Sequence, residues 1–69
     1  MKLKDPIDVR TKLMDQYGWA TVEGIAEGLN LAANTASRAL RGEAVRHATI
    51  KTIADKLGVS PSEIAEFVN

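Results

Sequence analysis

The sequence predicts an all-α domain built from five short helices. Apolar residues recur at intervals of three and four, without the strict alternation that a half-buried strand requires. Proline and glycine stand between these runs, where helices begin and end. Of the 69 residues 45% are hydrophobic and only 4% aromatic, which indicates an aliphatic, alanine-rich core. A chain of this length fits one domain, residues 1–69.

The first helix is expected to begin at Asp5-Pro6 and to end at Gly18. Aspartate is a favoured N-cap, and proline is tolerated at the first helical position because its missing N–H has no partner there. Glycine readily takes the left-handed conformation that ends many helices. The apolar stripe between these ends recurs every fourth residue, at Val9, Leu13 and Tyr17.

Two shorter helices follow, separated by a tight turn. Thr21 is the predicted N-cap of the second helix, and Asn30 occupies the turn, where it can adopt a positive φ. The third helix is predicted over 33–41, with Gly42 ending it. Ala32 at its N-cap is a poor capping residue. Its inner face is small and apolar and consists of Ala36, Ala39 and Leu40.

Two more helices complete the chain. The fourth is expected to begin at Ala48 or Thr49 and to stop at Gly58, with apolar residues at the helical spacing i, i+3, i+4, i+7. Ser60-Pro61-Ser62-Glu63 has the sequence of a capping box with proline at the first helical position. The fifth helix is therefore predicted from Pro61 to about Val68.

Charge is balanced overall but unevenly distributed. The chain has nine basic and nine acidic residues, whereas nucleic-acid-binding domains usually carry an excess of positive charge. The segment 32–51, however, has four basic residues and one acidic residue, a net charge of +3. Positive charge thus gathers on the third helix and just after it, where a phosphate-facing surface would need it.

Other functional classes find little support. With no cysteine there is no disulfide or thiolate metal site, and a lone histidine, His47, has no second ligand. We expect no metal and no cofactor. No nucleophile elbow or glycine-rich phosphate loop is present, so we do not expect an enzyme. Apolar runs are too short for a membrane span, and no signal peptide is evident.

The stretch Thr21–Gly42, TVEGIAEGLNLAANTASRALRG, has the spacing of a helix-turn-helix unit, whose second helix enters the DNA major groove. LNLAANTASRALRG resembles the turn and recognition helix of bacterial repressors, and ATIKTIADKLGVSPSEI resembles the helices that follow. From Trp19 onward the chain is similar to the Cro and lambda-repressor-like (XRE) family. The resemblance implies a five-helix DNA-binding domain that acts as a dimeric transcriptional regulator.

Three positions depart from the family pattern. Val22 stands where a phosphate-contacting glutamine is common, Asn30 where glycine is usual, and Ala36 where valine or isoleucine is frequent. The first removes an expected phosphate contact, which leaves Thr21 and the N–H groups of the second helix to take that role.

The resemblance assigns roles to the residues of the third helix and its surroundings. Asn34 is favoured as a base-reading residue through adenine N6 and N7, and Ala33 can at most touch a thymine methyl. Arg38 can pair with guanine O6 and N7 or contact phosphate, and the sequence leaves both open. The predicted phosphate contacts are Thr21, Thr35, Ser37, Arg41, Arg46 and Lys51.

The apolar C-terminal residues Ile64, Phe67 and Val68 either form a dimer interface or close the core over the first helix. We favour dimerisation on DNA. The expected function is that of a sequence-specific regulator binding a double-stranded operator, a repressor of phage or mobile-element type in the cytoplasm of a bacterial or phage-infected cell. The alternative is a small protein-interaction module, antitoxin-like or a repressor partner, which the zero net charge and Val22 would suit.

Overall fold

The computed structural model describes residues 1–68 and confirms an all-α domain, to which it adds a short two-stranded ladder. Within this range there are five helices and two strands. In chain order they are β1 (Lys2–Leu3), α1 (Pro6–Tyr17), α2 (Val22–Leu29), α3 (Ala33–Leu40), α4 (His47–Leu57), α5 (Pro61–Ile64) and β2 (Ala65–Glu66).

The helix ends follow the local signals in the sequence. Asp5 caps α1 by accepting a hydrogen bond from the Asp8 N–H at 3.1 Å, and Thr21 Oγ1 accepts from the Gly24 N–H at 3.0 Å. Gly18 and Gly58 end α1 and α4 in the left-handed conformation, with φ of 69° and 72°. At the start of α5 the Ser60 N–H donates to Glu63 Oε2 at 2.6 Å. These predicted ends are confirmed.

Helix five is shorter than predicted. It ends at Ile64 rather than near Val68, because Ala65 turns to extended backbone with φ −144° and ψ 164°. Ala65 and Glu66 then pair antiparallel with the N-terminal segment, Leu3 opposite Ala65 and Lys2 opposite Glu66. The sequence prediction contained no strands. Helix four also begins one residue earlier than predicted, at His47.

The hydrophobic core lies where α1, α2, α3 and α4 meet, and the N-terminal strand closes it. Leu13, Ile25, Ile50 and Ile53 are its largest fully buried side chains. Leu3, only 3% exposed, belongs to the same cluster. The segment before α1 is therefore a structural part of the domain.

Trp19 is half-buried against the core and joins α1 to α2. Its indole stacks on Tyr17, with ring centroids 4.7 Å apart, and lies directly over Gly28 of α2. The Tyr17 hydroxyl donates to the Lys56 carbonyl at 2.6 Å. The predicted apolar stripe of α1 thus ends at Tyr17, which stacks on Trp19 and connects α1 to α4 through its hydrogen bond.

Candidate nucleic-acid interface

The α2–turn–α3 unit has the geometry that its sequence spacing predicts. Asn30 follows α2 with φ 56° and ψ 42°, and its N–H donates to the Glu27 carbonyl at 3.1 Å. The Leu31 N–H donates to the Ala26 carbonyl at 2.9 Å. Asparagine is one of the few residues that tolerate this left-handed backbone. The departure from glycine at this position therefore leaves the turn intact.

Small residues allow α2 and α3 to pack closely. Ala26 of α2 is 3% exposed, and Ala36 and Ala39 of α3 are buried as well. Because alanine carries only a methyl group, the helices can approach without a bulky side chain between them. The thin inner face of α3 is thus matched by a small residue on its partner helix.

The opposite side of α3 is exposed and polar. Ala33, Asn34 and Arg38 are all solvent-accessible, and Thr35 and Ser37 are half-buried on the flanks. Asn34 and Arg38 are four residues apart, so they lie one turn apart on the same side of the helix. Ala32, the N-cap, is exposed and makes no side-chain capping bond. All three predicted base-contacting residues therefore lie on a surface that can enter a groove.

Glu43 lies beside the basic end of this surface, and the sequence prediction gave it no role. One carboxylate oxygen, Oε2, is 2.8 Å from Arg41 Nη2, and the other, Oε1, is 3.7 Å from Arg38 Nε. All three side chains are about half exposed. Glu43 follows Arg41 by two positions and Arg38 by five. This spacing is the signal in the sequence from which the two ion pairs could have been predicted.

The remaining predicted phosphate contacts are spread around α3. Lys51 forms an i,i+4 ion pair with Asp55 at 3.1 Å. Arg46 precedes α4 as its N-cap residue, is exposed, and has no acidic side chain within 4 Å among residues 1–68. Thr21 Oγ1 accepts the α2 capping bond, so its proton remains available for donation to a phosphate.

Two surface depressions flank α3. An open groove of about 800 Å³ separates α3 from the start of α4 and brings Thr35, Arg38 and Arg46 to one rim. A smaller recess of about 390 Å³ lies where the first turns of α2 and α3 meet, between Val22 and Asn34. The acidic Glu23 lines this recess as well. Arg38 and Arg46 therefore line the first depression, and Asn34 and Ser37 line the second.

The three residues of the predicted dimer interface differ in their surroundings. Ile64 is half-buried and packs against the core. Phe67 and Val68 follow β2 and are 79% and 47% exposed. Ile64 therefore packs on the core, whereas the other two side chains are exposed to solvent.

Among residues 1–68 no three His, Cys, Asp or Glu side chains are grouped so as to hold a metal ion. His47 is the exposed first residue of α4.

None of the helices in this part of the chain combines the length and the apolar composition that crossing a bilayer demands.

Two helices packed through alanine around a left-handed turn, the second with an exposed polar face, define a helix-turn-helix DNA-binding domain. The model of the Cro/C1-type helix-turn-helix DNA-binding domain family matches residues 11–69, and the chain belongs to this family. The match begins inside α1, earlier than the motifs that first appear at Trp19. Neither curated proteins nor solved structures give a match.

Proposed function

We propose that residues 1–69 act as one domain that binds double-stranded DNA sequence-specifically and represses transcription as a dimer. The observation that carries the proposal is the exposed face of α3, where Asn34 and Arg38 lie one turn apart on the second helix of the helix-turn-helix unit. In this arrangement α3 lies in the major groove. Two copies read half-sites about one helical turn, ~34 Å, apart.

The proposed contacts follow from side-chain chemistry. Asn34 pairs with adenine through its amide, and Ala33 touches a thymine methyl. Arg38 reads guanine O6 and N7 through its terminal nitrogens. The polar and basic residues on the flanks of α3 and on its neighbours hold phosphates and set the register of the helix. These are Thr21, Thr35, Ser37, Arg41, Arg46 and Lys51.

The regulated system is proposed to be a phage or mobile genetic element, with the protein acting in the cytoplasm of a bacterial or phage-infected cell. Binding-site selection from random double-stranded DNA tests the function most directly. It should return a single enriched sequence, and a palindrome with half-site centres about 10 base pairs apart would support the dimer. Failure to enrich any sequence would contradict sequence-specific binding.

Two arginine variants separate base reading from phosphate binding. Arg38→Ala should reduce the preference for the selected site by about 1–3 kcal/mol at one base pair. Arg46→Ala should weaken specific and random DNA about equally and lower the log–log salt slope by about 1. Both are measured by fluorescence anisotropy at several salt concentrations. Equal losses on both DNAs for Arg38→Ala would remove its base-reading role.

The ion pairs of Arg38, Arg41 and Lys51 with acidic neighbours favour a second candidate, a protein-interaction module. These ion pairs leave the surface formed by α3 and the start of α4 less positive than the sequence suggests. Chemical-shift mapping on addition of DNA separates the two candidates. If α3 shows the largest shifts, a purely protein-binding function is rejected, whereas an unperturbed α3 would favour the alternative.

A further inference from the structure

Glu43 is held in a fixed place at the end of the recognition helix. Its N–H donates to the Arg38 carbonyl at 3.1 Å. The preceding Gly42 has φ 81°, and a Cβ added there would lie 3.3 Å from Pro6 Cγ. Two residues after Glu43, the Val45 N–H donates to the Met1 carbonyl at 2.7 Å. The backbone of the α3–α4 loop is therefore anchored both at Glu43 and after it.

From this position Glu43 contacts the two arginines differently. Its Oε2 lies 2.8 Å from a terminal nitrogen of Arg41, Nη2. Its Oε1 lies 3.7 Å from Arg38 Nε, the nitrogen nearest the side-chain stem. Because guanine O6 and N7 can be read by the two terminal nitrogens of an arginine, Arg38 can keep its Glu43 contact while it reads a base. A phosphate that binds Arg41 instead meets the carboxylate at one of the terminal nitrogens, Nη2, and binds beside a negative charge.

We propose that Glu43 is a specificity-determining residue that weakens phosphate-only binding through Arg41 while it orients Arg38 for base reading. The inference rests on the proposed function, since it assumes that α3 enters the major groove. On random DNA the carboxylate repels a phosphate that approaches Arg41 and occupies one of the nitrogens that the phosphate could use. At the selected site the same cost at Arg41 is offset, because the carboxylate also orients Arg38 for base reading.

The test compares Glu43→Gln with Glu23→Gln on random DNA and on the site obtained by selection. Both variants remove one negative charge near α3, but in residues 1–68 no cation lies within 4 Å of the Glu23 carboxylate. Glu43→Gln should tighten random-DNA binding about three- to tenfold and change affinity for the selected site by less than about twofold. Its salt slope on random DNA should steepen by about 1.

Glu23→Gln should affect both DNAs alike and leave their affinity ratio unchanged. If Glu43→Gln also left that ratio unchanged, or if it weakened binding to random DNA, the inference would be overturned while DNA binding itself stood. An Arg41→Ala background supplies a further check, since the gain from Glu43→Gln should largely disappear there. A wild-type protein that binds neither DNA would overturn the proposed function, and the role of Glu43 with it.

Discussion

At the scale of single residues, Gly28 has a structural requirement that its local sequence does not reveal. Glycine inside a helix ordinarily lowers stability by about 1 kcal/mol relative to alanine. A Cβ added at Gly28, however, would lie 2.0 Å from Trp19 Cζ2, well inside van der Waals contact. At Gly24, in the same helix, the nearest atoms would be 3.4 and 3.8 Å away. Only Gly28 is therefore required by packing.

Gly28→Ala should destabilise the fold by about 1–3 kcal/mol, because the indole of Trp19 has to move out of its site. Gly24→Ala is the matched control and should be neutral or stabilising by up to about 1 kcal/mol, since it gains helix propensity without a clash. Urea denaturation followed by circular dichroism measures both. Equal stability of the two variants would show that Trp19 does not restrict this position.

The residue-level predictions that succeeded were local ones. Asp5, Thr21 and Asn30 act on backbone within a few positions, so their roles follow from side-chain chemistry and spacing alone. Glu43 and Gly28 depend on where other side chains come to lie. The Glu43 pairs were accessible in principle from their short spacing, whereas the Trp19–Gly28 contact spans nine positions through a loop whose path the sequence does not specify.

At the scale of elements, the β1–β2 ladder links the two ends of the described chain. Lys4 donates through its backbone N–H to the Ile64 carbonyl at 2.9 Å and through Nζ to the Ser62 carbonyl at 3.1 Å. Strands of two residues have no periodicity to detect, and these are more than 60 positions apart. The five helices were predictable because local start or stop residues and apolar spacing mark them, even though α3 and α4 lack a side-chain N-cap bond. The ladder was not.

Leu3→Ala tests the structural role of β1. Leu3 is 3% exposed within the core cluster, so truncation should cost about 2–5 kcal/mol. That is comparable to the whole net stability of about 3–5 kcal/mol expected for so small a core. Thermal unfolding should therefore show a large fall in Tm, or a chain that is mostly unfolded.

Lys2→Ala is the control for this element. The Lys2–Glu66 ion pair is exposed and 3.8 Å long, so its loss should cost less than about 1 kcal/mol. If Leu3→Ala unfolded at the same temperature as Lys2→Ala, the N-terminal strand would not be part of the stabilising core.

At the scale of the whole molecule, net charge and its arrangement have different consequences. The chain is neutral, and the sequence indicates a basic segment at 32–51. In the folded domain three of its four cations lie within 4 Å of a carboxylate: Arg38, Arg41 and Lys51. The positive field that steers a protein to any DNA is thereby reduced. We therefore expect weak random-DNA binding, and affinity that depends on base contacts and on the pairing of two copies.

We propose that two copies pair through the segment after β2, and Phe67 offers the clearest test of this proposal. Its side chain is 79% exposed directly after β2, the strand whose only ladder partner in residues 1–68 is β1. Phe67→Glu should lower affinity for a two-half-site operator at least about tenfold, because a desolvated charge opposes association of the copies. Affinity for a single half-site should be unchanged, and so should the unfolding midpoint.

Ile7→Glu is the matched control, since Ile7 is a 69% exposed apolar residue on α1. It places the same charge on an apolar site that we assign to no interface, and it should leave the two-half-site affinity within about twofold of wild type. Electrophoretic mobility shifts would resolve one-copy and two-copy complexes, and sedimentation would report self-association without DNA. If Phe67→Glu still formed the two-copy complex at wild-type concentrations, the segment after β2 would not join the two copies, and the surface that pairs them would lie elsewhere on the domain.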